Sequence, residues 1–151
     1  MLNISSSMAE EEIGTNVKDI MTQDVVTVKE NDTLQDLLEL FKKYHYHSYP
    51  VVTPEGELVG VVNEDIVLQS LLIGSVPSAM LARSITMFLG EDAKGIMNHH
   101  PITISPNASL EEAAALMIKH SINRMCVVVE KKLVGILSKR DIINEIYRER
   151  Y

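Results

Sequence analysis

The stretch Val17-Lys18-Asp19-Ile20-Met21 recurs 76 residues later as Ala93-Lys94-Gly95-Ile96-Met97. Internal similarity at a fixed offset indicates that a chain contains two copies of one structural unit. After a shift of one residue, Leu58-Val59-Gly60 also matches Leu133-Val134-Gly135. Further matches at the full offset are Thr27 with Thr103, Asn31 with Asn107, Leu34 with Leu110, Leu40 with Leu116, Lys43 with Lys119, and Val51-Val52 with Val127-Val128. The duplication therefore decides the fold.

The first part of each copy is predicted to be a short strand followed by a helix. The β-rich runs are 25–28 and 102–104, and the helix N-caps are Thr33 and Ser109. Ser109 and Glu112 have the spacing of a capping box, of which Thr33 and Asp36 are a weaker version. Apolar residues recur at helical spacing in both copies: Leu34, Leu37, Leu38 and Phe41, then Leu110, Ala113, Ala114 and Met117.

The second part of each copy is predicted to be a hairpin and a closing helix. The hairpin strands are 49–52 and 58–62, then 125–129 and 133–137. The closing helices begin at about Asp65 and about Lys139. One unit of roughly fifty residues buries too little apolar surface to be stable alone. The expected fold class is therefore α/β (α+β): two tandem βαββα motifs packed sheet to sheet with pseudo-two-fold symmetry, which leaves two related clefts between them.

Four segments are expected along the chain. Residues 1–14, which include three serines and Glu10-Glu11-Glu12, are typical of a flexible acidic tail. The first motif spans 15–72, a linker helix 73–92 and the second motif 93–151. The linker helix is amphipathic from Pro77 to Leu89 and ends at Gly90. We expect it to pack on the core, with a dimer contact as the alternative.

Composition and charge exclude several classes of protein. Of the 151 residues, 46% are hydrophobic and 23% are charged, as in globular proteins. The net charge of −7 argues against binding to the phosphate backbone of nucleic acids. Residues 1–92 carry 5 basic and 15 acidic side chains, whereas residues 93–151 carry 9 basic and 6 acidic ones. A small anion should therefore prefer the second half.

The cysteine content, the length of the apolar segments and the N-terminal residues predict the cellular compartment. Cys126 is the only cysteine and lies in an apolar run, so we expect a buried packing residue and a reducing compartment. No segment approaches the ~18 uninterrupted apolar residues of a membrane span. The N-terminus lacks the basic and apolar regions of a secretory signal. We expect a cytoplasmic protein with no membrane partner.

No catalytic or metal-binding motif emerges from the sequence. It contains no nucleophile elbow, no Walker loop and no Gly-rich dinucleotide fingerprint, so we expect no enzymatic activity. His45 and His47 are two residues apart, and His99 and His100 are adjacent. A metal ion needs three or four converging ligands, and neither pair supplies them. We expect no metal site and no required cofactor.

The repeated motifs resemble a known family. They are 19–22 (Asp-Ile-Met-Thr) with 95–97 (Gly-Ile-Met), Pro50-Val51-Val52, and 135–142 (Gly-Ile-Leu-Ser-Lys-Arg-Asp-Ile). Their order and duplication, from Val17 to Ile146, resemble the cystathionine-β-synthase (CBS) domain in its tandem arrangement, the Bateman module. The resemblance implies a ligand sensor that forms homodimers. It would control a partner protein of unknown identity by binding AMP, ADP, ATP or an S-adenosylmethionine-like ligand.

The candidate nucleotide site lies at the strand-to-helix junction of the second copy. Backbone N–H groups and the helix dipole favour an anion there. The Asp141 carboxylate can accept hydrogen bonds from both ribose hydroxyls, as the acidic residue of dinucleotide folds does. The Ser138 hydroxyl and the basic pair Lys139-Arg140 are well placed for phosphate. Arg124 enters the facing strand and can add a charge-assisted contact.

Three further residues complete the expected site. Ile136, beside the junction, would give the purine an apolar face. In the similar family, the residue three places before a strand's usual proline also faces the cleft. Those positions here are His47, three before Pro50, and Asn123, three before Cys126 in the proline's place. By this resemblance, His47 would contribute to the site from the first copy.

Each copy has a feature that argues against a nucleotide site. Ser138 and Asp141 also have the spacing of a capping box, which needs no ligand. At the matching junction of the first copy, Asn63 replaces the hydroxyl residue, and Asp65 follows one residue too early. Acidic Glu64 stands where a phosphate would approach, and like charges repel. The first cleft is therefore expected to be empty or to hold a weakly charged ligand. The alternative for the whole chain is a structural dimerisation or partner-interaction module without ligand.

Overall fold

A computed structural model describes residues 14–73 and 91–151. Its elements in chain order are α1 (Val17–Ile20), β1 (Val28–Lys29), α2 (Leu34–Lys43), β2 (Ser48–Val52), β3 (Leu58–Asn63), α3 (Glu64–Ile73), α4 (Ala93–Ile96), β4 (Thr103–Ile104), α5 (Leu110–His120), β5 (Arg124–Val129), β6 (Lys132–Ser138) and α6 (Lys139–Arg150). The predicted linker helix from Pro77 to Leu89 and nearly all of the predicted acidic tail lie outside the described residues. Among the described helices, none is long and apolar enough to cross a lipid bilayer.

The strands form two three-stranded sheets whose parallel pairs have the same register. Their orders are β1-β2-β3 and β4-β5-β6. In the first sheet Val28 pairs in parallel with Val51, and in the second Ile104 pairs in parallel with Val127. Both pairs are related by the offset of 76 residues. The duplicated unit and the mixed α/β fold class are therefore confirmed.

The helix starts follow the predicted caps, but the ranking of the two capping boxes was wrong. The Thr33 N–H donates to Asp36 Oδ2 at 2.9 Å, and the Asp36 N–H donates to Thr33 Oγ1 at 3.2 Å, so this box is complete. The Thr33 N–H, and to a smaller extent the Thr33 side chain, lower the pKa of the Asp36 carboxyl by hydrogen bonding to its charged form. In the described part of the chain, the capping box at Ser109 is only half formed. The Ser109 hydroxyl accepts from the Glu112 N–H at 3.1 Å, and the return bond is missing there. An aspartate has one torsion fewer to immobilise than a glutamate, which favours the complete box.

Residue contacts divide the chain into two compact units, and each unit joins parts of both sequence copies. The Asp141 unit comprises residues 14–25, 103–129 and 134–151 of the described chain. The Asp65 unit comprises 26–73, 91–102 and 130–133. Helix α1, which begins the first copy, therefore belongs with the closing helix of the second copy. Helix α4, which begins the second copy, belongs with the closing helix of the first.

Reciprocal backbone bonds hold these exchanged segments. In the Asp141 unit the Thr22 N–H donates to the Ile136 carbonyl at 2.8 Å, and the Ile136 N–H donates back to Thr22 at 2.9 Å. In the Asp65 unit Asn98 and Val61 form the same pair, at 2.8 and 3.0 Å. Both pairs lie one residue after a glycine of the closing strand. The exchange thus places each repeated methionine motif beside the glycine motif of the other copy.

Each unit has its own apolar core, to which the strands and the predicted helix positions both contribute. Leu34 and Leu37 are buried, and Leu38 and Phe41 are half-buried. The core cluster of the Asp65 unit consists of Val28, Leu37, Tyr49, Val51, Val62, Ala93 and Met97. The buried apolar residues of the Asp141 unit are Val17, Ile104, Leu110, Ala113, Met117, Met125, Cys126, Val127, Ile136, Leu137 and Ile142.

Candidate functional site

The junction of β6 and α6 is organised by a complete capping box. Ser138 has extended backbone angles (φ −107°, ψ 158°), and its Oγ accepts from the Asp141 N–H at 3.1 Å. In return the Ser138 N–H donates to Asp141 Oδ2 at 3.0 Å. The predicted capping role of both residues is thus confirmed. These two bonds fix the Asp141 side chain at the third position of the helix.

A second hydrogen bond ties this junction to the start of β5. The N–H of Lys139, the first residue of α6, donates to the Asn123 carbonyl at 3.0 Å. Asn123 directly precedes Arg124, the first residue of β5. The bond therefore brings Asn123 and Arg124 beside Ser138, Lys139 and the first turn of α6. The N–H of the second residue of a helix has no helical acceptor, so this turn retains donor capacity.

The burial of the predicted site residues differs. Ser138, Lys139 and Asp141 are half-buried, and Arg140 is exposed. Ile136 has only 4% of its surface exposed, and its backbone is bonded to Thr22. The structure therefore gathers Asn123, Arg124, Ser138, Lys139, Arg140 and Asp141 at one helix start, with Ile136 buried two residues before it.

His47, the remaining predicted site residue, belongs to the Asp65 unit. Its backbone carbonyl accepts from the Glu64 N–H at 3.1 Å, just as the Asn123 carbonyl accepts from Lys139. His47 and Asn123 thus occupy matching backbone positions, and that their side chains face a ligand stays a prediction. The His47 side chain lies near its own unit's helix, with Nδ1 3.4 Å from Glu64 Oε2.

The junction of the Asp65 unit differs from its counterpart in spacing. Asn63 Oδ1 accepts from the Ile66 N–H at 2.8 Å, so Asn63 takes the capping position of Ser138. Helix α3 begins at Glu64, one residue before the predicted start. Asp65 is consequently the second helical residue, whereas Asp141 is the third. One position on a helix is a rotation of about 100°, so the two carboxylates leave their helices in different directions.

The segment around Met21 also supports this site, which was not predicted from the sequence. A Cβ atom on Gly135 would lie 2.6 Å from Met21 Sδ, so the methionine packs directly on the glycine. Together with the bonds between Thr22 and Ile136, this contact supports the strand that leads into Ser138. The signal was present in the repeated Ile-Met motif, but the sequence could not say which glycine each methionine would contact.

Neither the cysteine nor the potential metal ligands among the described residues form a second reactive site. Burial raises the pKa of the Cys126 thiol to about 12, against a smaller opposing effect of Arg124, so the thiol is protonated at neutral pH. Its predicted burial is confirmed, with 4% of its surface exposed. Within residues 14–73 and 91–151, no three His, Cys, Asp or Glu side chains converge as a metal site would require.

Comparisons with known proteins agree with this architecture. The family model of the CBS domain matches residues 17–73 and 93–148. The CBS domain-containing protein YhcV of Bacillus subtilis is 31% identical over 137 residues, which cover 89% of each chain. A crystal structure of CBSX2 in complex with AMP is 27% identical, with a TM-score of 0.79 over 91% of this chain and 100% of that one. The CBS-pair protein CBSX2 from Arabidopsis thaliana is 25% identical, with a TM-score of 0.75 over 91% of this chain and 98% of that one.

Proposed function

The chain belongs to the CBS domain family, and from this premise we propose that it is a non-catalytic regulatory module that binds an adenine nucleotide beside Ser138 and Asp141. The observation that carries the proposal is the convergence, at the start of α6, of one carboxylate with basic side chains. The AMP complex of the similar protein CBSX2 supports the choice of ligand class. AMP, ADP, ATP and an S-adenosylmethionine-like compound are the candidates, and no further cofactor is needed.

Asp141 is the proposed ribose acceptor. Its Oδ2 accepts from the Ser138 N–H, and within the described residues its Oδ1 accepts no hydrogen bond. The capping box holds the carboxylate in place before a ligand arrives, which lowers the entropic cost of binding. Two vicinal hydroxyl groups would then donate to one preorganised carboxylate. A nucleoside fits this description better than a simple phosphate does.

Phosphate groups are proposed to lie toward the basic side of the same turn. Lys139 and Arg140 are the first two residues of α6, and Arg124 begins the strand tied to it. The helix dipole adds to the attraction of these cations for an anion. The net charge of residues 93–151, with 9 basic and 6 acidic side chains, acts in the same direction. The contribution of His47 from the other copy stays a prediction.

Regulation would follow from unequal affinities. A nucleotide that binds one state of the protein more tightly than another shifts the equilibrium between them, by about 1–3 kcal/mol in typical allosteric systems. We propose that the two motifs, 15–72 and 93–151, act as one Bateman module in the cytoplasm. The equilibrium they shift would be the assembly of a homodimer or the binding of a partner protein.

The alternative function is structural dimerisation or partner interaction without any ligand. It is favoured by exposed apolar side chains on α6 and directly after it: Ile143 and Tyr147 of the helix, and Tyr151 at its C-cap, have 64%, 67% and 90% of their surface exposed. Spacings of four residues put them on one face of the helix. Ser138 and Asp141 also bond to each other in the capping box, as a purely structural role requires.

Thermal unfolding with added AMP, ATP or S-adenosylmethionine distinguishes the two functions. A ligand that binds only the folded state at 100 times its dissociation constant stabilises it by about 2.7 kcal/mol. For a chain of this size that raises Tm by roughly 5–11 °C. No shift with any of the three compounds at millimolar concentration would favour the structural alternative.

Two capping aspartates allow the ribose assignment to be tested with a matched control. Asp141→Ala and Asp36→Ala each remove the carboxylate half of a complete box and keep the hydroxyl half, at a similar cost to stability of up to about 1 kcal/mol. Only Asp141→Ala should also weaken AMP binding, by about 10- to 100-fold, because a hydrogen bond to a charged group contributes about 1.5–3 kcal/mol. Isothermal titration calorimetry measures both variants. Equal AMP affinity in the two would end the ribose assignment.

A further inference from the structure

The first residues of the two closing helices occupy matching positions with opposite charge. Glu64 begins α3 and donates its N–H to the His47 carbonyl, and Lys139 begins α6 and donates its N–H to the Asn123 carbonyl. The preceding residues, Asn63 and Ser138, both cap the third helical N–H. These two hydrogen bonds are thus common to both junctions, whereas the charges of the first helical side chains differ.

The difference in charge at these helix starts is large. Glu64 and Asp65 place two negative charges on the first two residues of α3, whereas Lys139 and Arg140 place two positive charges on those of α6. A helix start attracts anions through its dipole in either unit, but a full charge within the first turn outweighs that partial charge. Phosphate should therefore be repelled at α3 and attracted at α6.

Glu64 is also held in place by its neighbour. His47 Nδ1 lies 3.4 Å from Glu64 Oε2, and both side chains are more than half exposed. This contact keeps the carboxylate on the side of the helix start where β2 begins, the side that Asn123 occupies in the other unit. Building on the proposed function, we propose that Glu64 is a specificity-determining residue that confines phosphorylated adenosyl ligands to the Asp141 unit.

Two consequences distinguish this role of Glu64 from a general inability of the Asp65 unit to bind adenosyl ligands. The chain should bind one AMP and not two. Removing the negative charge at position 64 should improve the binding of AMP to the Asp65 unit without improving that of adenosine. From Coulomb's law in a water-like dielectric at roughly 7 Å with salt screening, Glu64→Lys should strengthen AMP binding there by about 5- to 30-fold. Glu64→Gln should give about 2- to 5-fold.

Backbone amide shifts of the 15N-labelled full chain report the two helix starts separately. AMP and adenosine are titrated into the wild type, Glu64→Lys, Glu64→Gln and Glu55→Lys. Glu55 is an exposed residue of the turn between β2 and β3, so Glu55→Lys makes the same change in net charge away from α3. Glu64→Gln retains the side-chain shape and covers the case in which Glu64→Lys disturbs the fold.

The expected result is that AMP shifts the amides of 138–141 but not of 63–66 in the wild type and in Glu55→Lys. In Glu64→Lys, and more weakly in Glu64→Gln, AMP should shift both sets. AMP shifts at 63–66 in the wild type, no gain in either variant, or an equal gain for adenosine would each overturn the role of Glu64. If AMP shifts neither set in the wild type, the proposed function itself fails, and the inference built on it fails too.

Discussion

Gly60→Ala is expected to destabilise the protein strongly, because the exchanged segment packs directly on this glycine. A Cβ atom at position 60 would lie 2.5 Å from Met97 Sδ, 2.7 Å from Met97 Cγ and 2.8 Å from the Asn98 carbonyl oxygen. Among the described glycines only Gly56 has a positive φ, so alanine at position 60 meets a steric obstacle and no backbone strain of its own. The methionine side chain can turn away, but the carbonyl can move only with its backbone.

The size of the destabilisation follows from the interactions that a movement of the Asn98 carbonyl would break. Asn98 and Val61 are joined by two backbone hydrogen bonds of 2.8 and 3.0 Å, which hold the carbonyl in place. Overpacking of a buried site costs about 1–3 kcal/mol. Weakening the two hydrogen bonds adds up to about 1 kcal/mol each. We expect a loss of about 2–4 kcal/mol in the free energy of unfolding, or roughly 4–16 °C in Tm.

Urea denaturation of Gly60→Ala and Gly135→Ala provides the assay and its internal comparison. At Gly135 the new Cβ would lie 2.6 Å from Met21 Sδ, but 3.1 Å from the Thr22 carbonyl oxygen. The obstacle there is largely a flexible side chain, so Gly135→Ala should be the milder variant. Met97→Ala should destabilise the protein by itself, because Met97 is buried, but the double variant with Gly60→Ala should lose less than the sum of the two single losses. A free energy of unfolding for Gly60→Ala within about 0.5 kcal/mol of the wild type would refute the reasoning.

Three other predictions concern Arg124, Leu137 and Cys126. Arg124→Ala should weaken ATP binding more than adenosine binding in calorimetric titrations, and equal losses would mean that Arg124 does not meet phosphate. Leu137→Ala, at a position with 0% exposure, should lower the free energy of unfolding by about 2–5 kcal/mol in urea, and a loss below about 1 kcal/mol would contradict its place in the core. The Cys126 thiol, with its pKa raised to about 12, should resist iodoacetamide at pH 8 until the protein unfolds. Because the unfolded thiol ionises near pH 9, stability should fall between pH 9 and 12, and Cys126→Val, followed by chemical denaturation, should lose less over that interval.

Much of the candidate site could be predicted because its determinants are local. A capping box depends on residues three apart, so Ser138 and Asp141 could be paired from their spacing alone. The shorter spacing at Asn63 and Asp65 was equally visible. The contact between His47 and Glu64 was not, because it joins two elements separated by a hairpin. Glu64 was predicted to repel phosphate, but only the structure showed that His47 accompanies it.

The sequence by itself determined the duplicated unit, the order of its strands and helices, and its helix N-caps. These features depend on short-range interactions and on hydrophobic spacing, which are written in each copy separately. The tertiary structure decided that Met21 packs on Gly135 and Met97 on Gly60. Each copy contains a strand with a glycine and a methionine motif. The methionine could therefore pack on the glycine of its own copy or on that of the other copy, and both arrangements satisfy the same local sequence pattern. Long-range packing of the whole chain selects between them, and no single copy contains that information.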